Sequence, residues 1–382
     1  MPTLTLPGPG RTLQRYTTHP PRLSPQGRPP FNRLALAAAH VVADPLSDRP
    51  AIDWDATIQY RLYLWSLGLG VAEATDAAQR GAGLDWPTSL ELIRRSIAAA
   101  PPGAALYCGA STDHLPPNAA ITAGSVNQIL GAYEAQCGSI EKLGGRIVLL
   151  ASRALAACAR GPDDYKRIYG RILEQTRDPV LLHWPGELFD PALGTYWGHT
   201  SVDDALATCL DIANANAAKI DGIAFALLDP AREIALRRHL PRGVRLYTGD
   251  ELNFPDLIAG DDDAYSHAML GILDAIAPAA ASALACLQRD DTQSYFDILE
   301  PTLPLARHLL RPPAGTYRTG IIFMAYLNGH QSHFTMIGGQ QSARSLPYLA
   351  ETFRLADAAG LLRDPDDAAI RMARVLAVHG IV

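Results

Sequence analysis

The sequence predicts an α/β fold, a (β/α)8 TIM barrel with extra C-terminal helices. Eight short apolar segments recur along the chain, and amphipathic segments with helix-start signals separate them. Most of the apolar segments are continuously apolar instead of alternating, which is typical of parallel strands covered on both faces. At 382 residues, 48% of them hydrophobic, the chain is long enough for one such barrel with additions. An open, doubly wound sheet of about six strands is the competing interpretation.

The eight candidate strands follow one another with helical spacers between them. They are RLALAAAHV (33–41), LGLGVAEA (67–74), AALYCGA (104–110), GRIVLLAS (145–152), PVLLHWP (179–185), IDGIAFALL (220–228), GVRLYTGD (243–250) and AMLGILDAI (268–276). Among the spacers, DWDATIQYRLYLWSL opens on an aspartate cap, and DWPTSLELIRRSIAAA has Asp85 and Pro87 at its start. Eight such units without a break favour a closed barrel over an open sheet.

Three regions are predicted along the chain. Residues 1–32 are rich in proline and glycine and are predicted to form an irregular arm. Residues 33–290 form the barrel, and 291–382 form a helical extension of about five helices. In a closed barrel such an extension serves packing or subunit contact.

Composition excludes several classes of partner. The net charge is −6 and no block of Lys and Arg occurs, so we expect no nucleic-acid or membrane partner. The five cysteines are odd in number and have no CxxC spacing, which indicates free thiols in a reducing compartment. No segment has the pattern of a signal peptide or a membrane span. We therefore expect a cytoplasmic protein.

Candidate site residues are the polar side chains at the carboxyl ends of the strands, where barrels of this type keep their chemistry. In chain order they are His40, Asp44, Glu73, Thr75, Asp76, Ser111, Thr112, Asp113, Ser152, Arg153, His183, Trp184, Glu187, Asp229, Tyr247, Thr248, Asp250 and Asp274. Each of them could equally be a helix cap or a satisfied core group.

His183 lies in LLHWPGE, where an apolar strand ends in a proline turn. With Glu187 as an orienting acid it could act as a general base. Alternatively it could be half of a metal site completed by His199, His267, Asp250 and Glu251. No HxxxH or HxH spacing supports a metal, so we expect neither a metal nor a cofactor.

The segment YTGDE (247–251) places small residues after a strand. Gly249 would let backbone N–H groups approach a carboxylate or phosphate closely. Gly249 in a tight turn and Asp250 as a helix cap explain the same pattern without a ligand.

These residues resemble a known family. IDGIAFALLD, GVRLYTGDE, HAMLGILDAIAPAAASALACLQRDD and FDILEPTLPLARHLL are similar, in order and spacing, to the second half of the dihydrodipicolinate synthase / N-acetylneuraminate lyase superfamily. The likeness spans residues 33 to about 365 and is looser in the first half. The closest fit is a little-characterised dihydrodipicolinate synthase-like branch.

The resemblance implies a class I mechanism, in which a strand lysine forms an imine with a 2-oxo acid. The family motif G-I/V-K reads Gly222-Ile223-Ala224 here, and alanine cannot form an imine. Three explanations stay open: an introduced Lys→Ala replacement that blocks turnover, a natural variant that uses His183 for acid–base or metal chemistry, and a non-catalytic barrel that binds a sugar acid. Lys219 lies near the other end of the strand and is no substitute.

The resemblance also assigns roles to the remaining candidates. Ala224 marks the imine position, and His183 and Tyr247 would transfer protons, His183 standing where the family has a tyrosine. Substrate contacts are assigned to Glu73, Thr75, Arg153, Glu187, Thr248, Gly249 and Asp250, of which Thr75 is the remnant of a carboxylate-binding G-T-T-G-E motif.

The function expected from the resemblance is that of a carbon–carbon or carbon–oxygen lyase. It would act on a small-molecule 2-oxo acid or keto-sugar, in a homo-oligomer. A metal-dependent aldolase or isomerase that uses His183, Glu187, His267 and Asp250 is the first alternative, and a binding protein without activity is the second.

Overall fold

The structure, a computed structural model, describes residues 1–20, 31–115 and 125–381. Its strands in these residues are β1 (Thr3–Gly8), β2 (Thr12–Thr17), β3 (Ala35–Ala38), β4 (Gly70–Glu73), β5 (Leu106–Ala110), β6 (Arg146–Leu150), β7 (Val180–Pro185), β8 (Ile220–Ala226), β9 (Arg245–Thr248) and β10 (His267–Leu270). Strands β3 to β10 are parallel, each pairs with the next along the chain, and β10 closes on β3. The predicted (β/α)8 barrel is confirmed, and each barrel strand overlaps one predicted strand.

Helices connect the barrel strands and extend the chain beyond them. They are α1 (Trp54–Ser66), α2 (Trp86–Ala99), α3 (Ser125–Lys142), α4 (Arg153–Cys158), α5 (Pro162–Gln175), α6 (Val202–Ala215), α7 (Pro230–His239), α8 (Phe254–Ala259), α9 (Ile272–Ala275), α10 (Ala277–Leu287), α11 (Thr292–Leu299), α12 (Leu303–Leu309), α13 (Tyr317–Leu327), α14 (Leu346–Ala358) and α15 (Pro365–Val378). Asp53 caps α1 by accepting from the N–H of Ala56 at 3.0 Å, and Asp85 caps α2 by accepting from the N–H of Thr88 at 2.9 Å. Helices α11 to α15 form the predicted C-terminal extension.

Two local predictions were wrong. The last predicted strand, 268–276, ends at Leu270, and α9 begins at Ile272, because an apolar run this short does not distinguish a strand from a buried helix. Residues 3–17 of the predicted irregular arm form an antiparallel hairpin of β1 and β2. The Thr-Leu alternation of residues 3–6, before the Pro-Gly turn, has the period of a strand, which the proline and glycine content obscured.

The described residues divide into two compact units that interleave along the sequence. The barrel unit comprises residues 33–38 and 70–270 and contains all eight barrel strands. The helical unit comprises residues 1–20, 31–32, 39–69 and 271–381. In the helical unit the hairpin is fastened to α14, since the Tyr16 hydroxyl donates to Asp357 at 2.6 Å and Arg354 donates to the Pro7 carbonyl at 2.6 Å.

A membrane-spanning helix does not occur in the described residues, where each helix is too short or too polar to cross a bilayer.

Candidate functional site

The interior of the barrel is filled by one buried cluster to which every strand contributes one side chain. Its members, in strand order from β3 to β10, are Leu36, Ala72, Tyr107, Val148, Leu181, Ala224, Tyr247 and Met269. Residues from all eight strands can meet only inside the barrel. The methyl group of Ala224 therefore points to the interior, which is the orientation that a residue in the imine position requires.

No lysine reaches this interior. The chain has three lysines. Lys166 lies on α5 and pairs with Asp211 at 2.7 Å, and Lys142 is exposed at the end of α3. Lys219 precedes β8 and donates to the carbonyl of Thr176 at 2.6 Å. The barrel therefore has no side-chain amine with which to form an imine.

His183 is the cross-strand partner of Ala224. It lies two residues beyond Leu181 on β7, so its side chain shares the inward face and lies nearer the carboxyl end of the strand. Its Nδ1 atom is buried and has no hydrogen-bond partner among the described residues. Burial lowers the pKa of His183 to about 4, against the opposing effect of the Asp76 carboxylate, so the ring is neutral at neutral pH.

The loop after β4 faces the same space. Asp76 belongs to this loop, and its charge acts on His183. The neighbouring Thr75 has a buried hydroxyl group with no hydrogen-bond partner in the described part of the chain. Ala74, which begins the loop, adopts a positive φ of 55°. A buried hydroxyl without a partner is uncommon and indicates a contact that a bound molecule would complete.

Tyr247 points away from the carboxyl ends of the strands. Its hydroxyl group donates to Asp221 at 2.6 Å, and Asp221 is the second residue of β8, near the amino ends. Burial, with Tyr107 and Asp221, raises the pKa of Tyr247. This position does not bring the hydroxyl group to the end of the barrel that His183 occupies.

Glu73 and Thr248 face the helices outside the barrel. Glu73 accepts from the hydroxyl of Ser96 on α2 at 2.6 Å and from the N–H of Ala74 at 2.9 Å. Thr248 donates to Glu233 on α7 at 2.9 Å. Both residues are adjacent to inward-facing residues on their strands, so the alternation of the strand turns them outward.

Gly249 and Asp250 form a structural turn. A side chain on Gly249 would meet the Cβ of Ala226 at 2.5 Å, so the close approach of β9 to β8 requires glycine. Asp250 accepts from the N–H groups of Leu252 and Asn253, both at 2.9 Å. The tight turn accounts for Gly249, whereas the predicted cap role of Asp250 was wrong: Asp250 stabilises the turn, and the residue that precedes α8 is Asn253, which makes no side-chain cap hydrogen bond.

Arg153, the first residue of α4, and Glu187, in the loop after β7, lie on the surface. The Arg153 side chain is 70% exposed and donates to Asp190 at 2.5 Å. Glu187 is exposed, with its carboxylate beside Gly194. The structure therefore does not bring Glu187 to His183 as an orienting acid.

The residues of the predicted metal site are dispersed. His267 is the first residue of β10, where its Nδ1 accepts from the N–H of Leu34 at 2.8 Å. His199 contacts Thr208 at 2.9 Å. In the described residues, no three His, Cys, Asp or Glu side chains are grouped so that they could hold a metal ion.

A buried ion pair that the sequence did not indicate joins the loops after β4 and β5. Arg80 donates to both carboxylate oxygens of Asp113 at 2.8 Å, and to Gln136 at 2.6 Å. It also donates to the carbonyl oxygens of Ala74 and Gly109. Arg80 therefore fixes the loop that carries Thr75 and Asp76.

Comparisons with known proteins agree with this fold. A family model described as "Protein of unknown function (DUF993)" matches residues 4–381. A search of curated proteins finds no match.

Several solved structures with a similar fold are described as dihydrodipicolinate synthases or as members of their family. Dihydrodipicolinate synthase from Oceanobacillus iheyensis has a TM-score of 0.61 at 14% identity and covers 91% of this chain and 97% of its own. A putative dihydrodipicolinate synthetase from Pseudomonas aeruginosa has a TM-score of 0.66 at 14% identity, and the match covers 86% of this chain and 99% of that one. YagE from E. coli K12, solved in complex with pyruvate, has a TM-score of 0.65 at 11% identity, and the match covers 92% of this chain and 99% of that one. These similarities confirm the fold that the sequence resemblance implied.

Proposed function

Since the chain belongs to the DUF993 family, whose description names no reaction, we propose a function from the barrel itself: a lyase that acts on a 2-oxo acid or keto-sugar derivative. The chain shares its fold with dihydrodipicolinate synthases and with YagE, a protein of the same family that was solved in complex with pyruvate, and this supports the choice of substrate class. The carboxyl ends of the strands are the place for the reaction, as in other barrels of this type.

The pairing of His183 with Ala224 carries this proposal. The two residues are direct neighbours on β7 and β8 and share the inward face of the barrel. In the family that the sequence resembles, these positions hold the proton-relay tyrosine and the imine lysine. A group able to donate a proton is retained at the first position, and the amine is absent from the second.

Without an amine in the barrel, the substrate ketone would react directly and would not first be converted to an imine. In aldol cleavage, the proton of the hydroxyl group next to the breaking bond goes to a base, and the electron pair of the broken carbon–carbon bond moves to the ketone oxygen. The neutral His183 ring would donate its N–H to that oxygen as negative charge develops. Asp76, whose charge acts on His183, is the carboxylate assigned as the base.

Thr75 is assigned to the substrate carboxylate. Its buried hydroxyl group lacks a partner among the described residues and can donate one hydrogen bond. Its place in the loop that Arg80 fixes would hold this donor in position before the substrate binds.

The test measures turnover directly. Purified protein is incubated with a panel of 2-oxo acids and keto-sugar acids, and cleavage, dehydration and exchange of the C3 protons with deuterium oxide are followed by NMR. We expect turnover of at least one compound, reduced at least a hundredfold in His183→Asn and unchanged in His239→Asn, a control at an exposed helix position. Binding without turnover or exchange across the panel would instead identify a binding protein.

A homo-oligomer is part of this proposal, and light scattering of the purified protein measures its mass.

A further inference from the structure

The helical unit contains a cavity of about 340 Å³. Residues of α1, of α13, of the segment from Asp274 to Pro278 and of the segment from Gly360 to Arg363 line it, and all of them belong to the helical unit. This volume lies within the range of small-molecule sites in proteins. None of the residues assigned to the barrel reaction lines it.

The polar groups that line the cavity are mostly donors without partners. The Tyr63 hydroxyl, the Asn328 side-chain NH₂ group, the His330 ring and the Arg363 guanidinium group make no side-chain donor hydrogen bond with any described residue. Asn328 is oriented by the N–H of Arg363, which donates to its carbonyl oxygen at 2.8 Å, so its NH₂ group is the free end. Burial, reinforced by His40, lowers the pKa of His330 to about 4, so the neutral ring retains one N–H.

The carboxylate in the cavity wall is already engaged. Asp274 accepts from the N–H of His40 at 2.8 Å and from its Nδ1 at 2.8 Å. The Tyr60 hydroxyl donates to the main-chain oxygen of Asp274 at 2.6 Å. Behind Tyr60, the Nε2 of His40 is buried and has no partner in the described residues. Of the groups left to a ligand, the Asn328 NH₂ group and the Arg363 guanidinium group can only donate, while the Tyr63 hydroxyl and the neutral His330 ring can donate or accept. Arg363, an exposed residue, supplies a positive charge.

The remaining lining is aromatic and apolar. The ring centroids of Tyr63 and His330 are 4.5 Å apart, and the two ring planes are tilted by 41°. The ring centroids of His330 and Tyr60 are 4.8 Å apart in an edge-to-face arrangement. Met324 and Leu362 contribute apolar surface. This lining would remove a flat or branched apolar group of a ligand from water, which is favourable, and an aromatic group of a ligand would pack well against the aromatic rings.

We propose that this cavity binds a small monocarboxylate with an aromatic or branched apolar body, its carboxylate on Arg363 and Asn328 and its body against Tyr63 and His330. Arg363 binds a carboxylate through parallel N–H groups, and Asn328 and Tyr63 add neutral donors. The site is separate from the proposed barrel reaction and does not depend on it.

Ligand-observed NMR tests the proposal with phenylacetate and isovalerate as probes. Saturation transfer from the protein to each carboxylate is expected, and none to phenylacetamide, which keeps the ring and lacks the charge. Arg363→Met and Asn328→Leu should each weaken binding at least tenfold. Arg374→Met is the matched control, because Arg374 is exposed in the same unit and does not line the cavity.

His183→Asn separates this site from the barrel and should bind both probes as the wild type does. Equal binding of phenylacetamide, no transfer to either carboxylate, or unchanged affinity in Arg363→Met would each overturn the proposal. A loss of binding in His183→Asn alone would assign the probes to the barrel and overturn it as well. Thermal unfolding of each variant confirms that the protein measured is folded.

Discussion

His183 and Ala224 stand opposite each other in the register of the paired strands β7 and β8, and both side chains face the interior of the barrel. The family that the sequence resembles places a proton-relay tyrosine and an imine lysine at these positions. The two side chains therefore lie side by side on the inner face of the barrel. In the buried cluster Ala224 lies between larger side chains of its neighbouring strands, Leu181 on β7 and Tyr247 on β9.

Replacing Ala224 by lysine should restore an imine-forming amine. A lysine amine in this buried position has its pKa lowered by desolvation, which makes it a nucleophile at neutral pH. Treatment of Ala224→Lys with pyruvate and borohydride should add the mass of one reduced adduct per chain, measured by intact mass spectrometry. Ala224→Met, of similar size and without an amine, is the control and should add none. A folded Ala224→Lys protein without adduct would show that position 224 does not reach a carbonyl substrate.

Because the pKa of His183 is lowered in the folded protein, the free energy of unfolding should decrease as the pH is lowered. The unfolded ring has its ordinary pKa near 6.5, and the folded ring has a pKa of about 4. Between these values the unfolded state binds the additional proton, so the free energy of unfolding decreases as the pH falls from about 6.5 to 4, by at most about 3 kcal/mol. Urea unfolding at both ends of this window should show a smaller pH effect for His183→Asn than for the wild type. Equal pH effects in the two proteins would mean that His183 titrates normally when folded.

Much of the barrel could be predicted from the sequence because each strand is a local pattern. Continuous apolar runs identify buried parallel strands, and the Asp53 and Asp85 caps act over three residues. The prediction that Ala224 points inward came from the Gly222-Ile223-Ala224 motif and not from the apolar pattern of the strand. A strand that is buried on both faces is apolar throughout, so its sequence does not reveal which residues point inward. Fold and strand order were therefore accessible, and side-chain direction was only partly so.

The parts of the site that could not be predicted depend on partners distant in the sequence. Tyr247 is directed to the amino ends of the strands by Asp221, 26 residues before it. Arg80 pairs with Asp113, which lies 33 residues further along the chain. Glu73 and Thr248 stand at strand ends as expected but face outward, and an offset of one residue reverses the face of a strand side chain. No local pattern contains this information.

Glu233 should destabilise the protein at alkaline pH. Burial raises the pKa of Glu233 to about 7, although the hydroxyl groups of Ser266 and Thr248 donate to its carboxylate. Because the folded pKa exceeds the unfolded one, the stabilising contribution is present below pH 4.5 and is lost as the pH rises through 7. Glu233→Gln, which stays neutral, should be more stable than the wild type at pH 8 by about 2 kcal/mol and similar to it at pH 5. Exposed Glu300→Gln is the control and should change stability at neither pH.

Removing Arg80 should both destabilise the barrel unit and disturb the loop that carries Thr75. The Arg80 side chain is 4% exposed and Asp113 26% exposed, so Arg80→Met leaves a largely buried carboxylate without its counter-charge. We expect a loss of about 3 kcal/mol in the free energy of unfolding, measured by urea denaturation. The double variant Arg80→Met with Asp113→Asn should recover part of this loss, because the isolated charge is then gone. If Arg80→Met alone unfolds like the wild type, the pair does not fix the loop, and the assignment of Thr75 as a positioned donor loses its support.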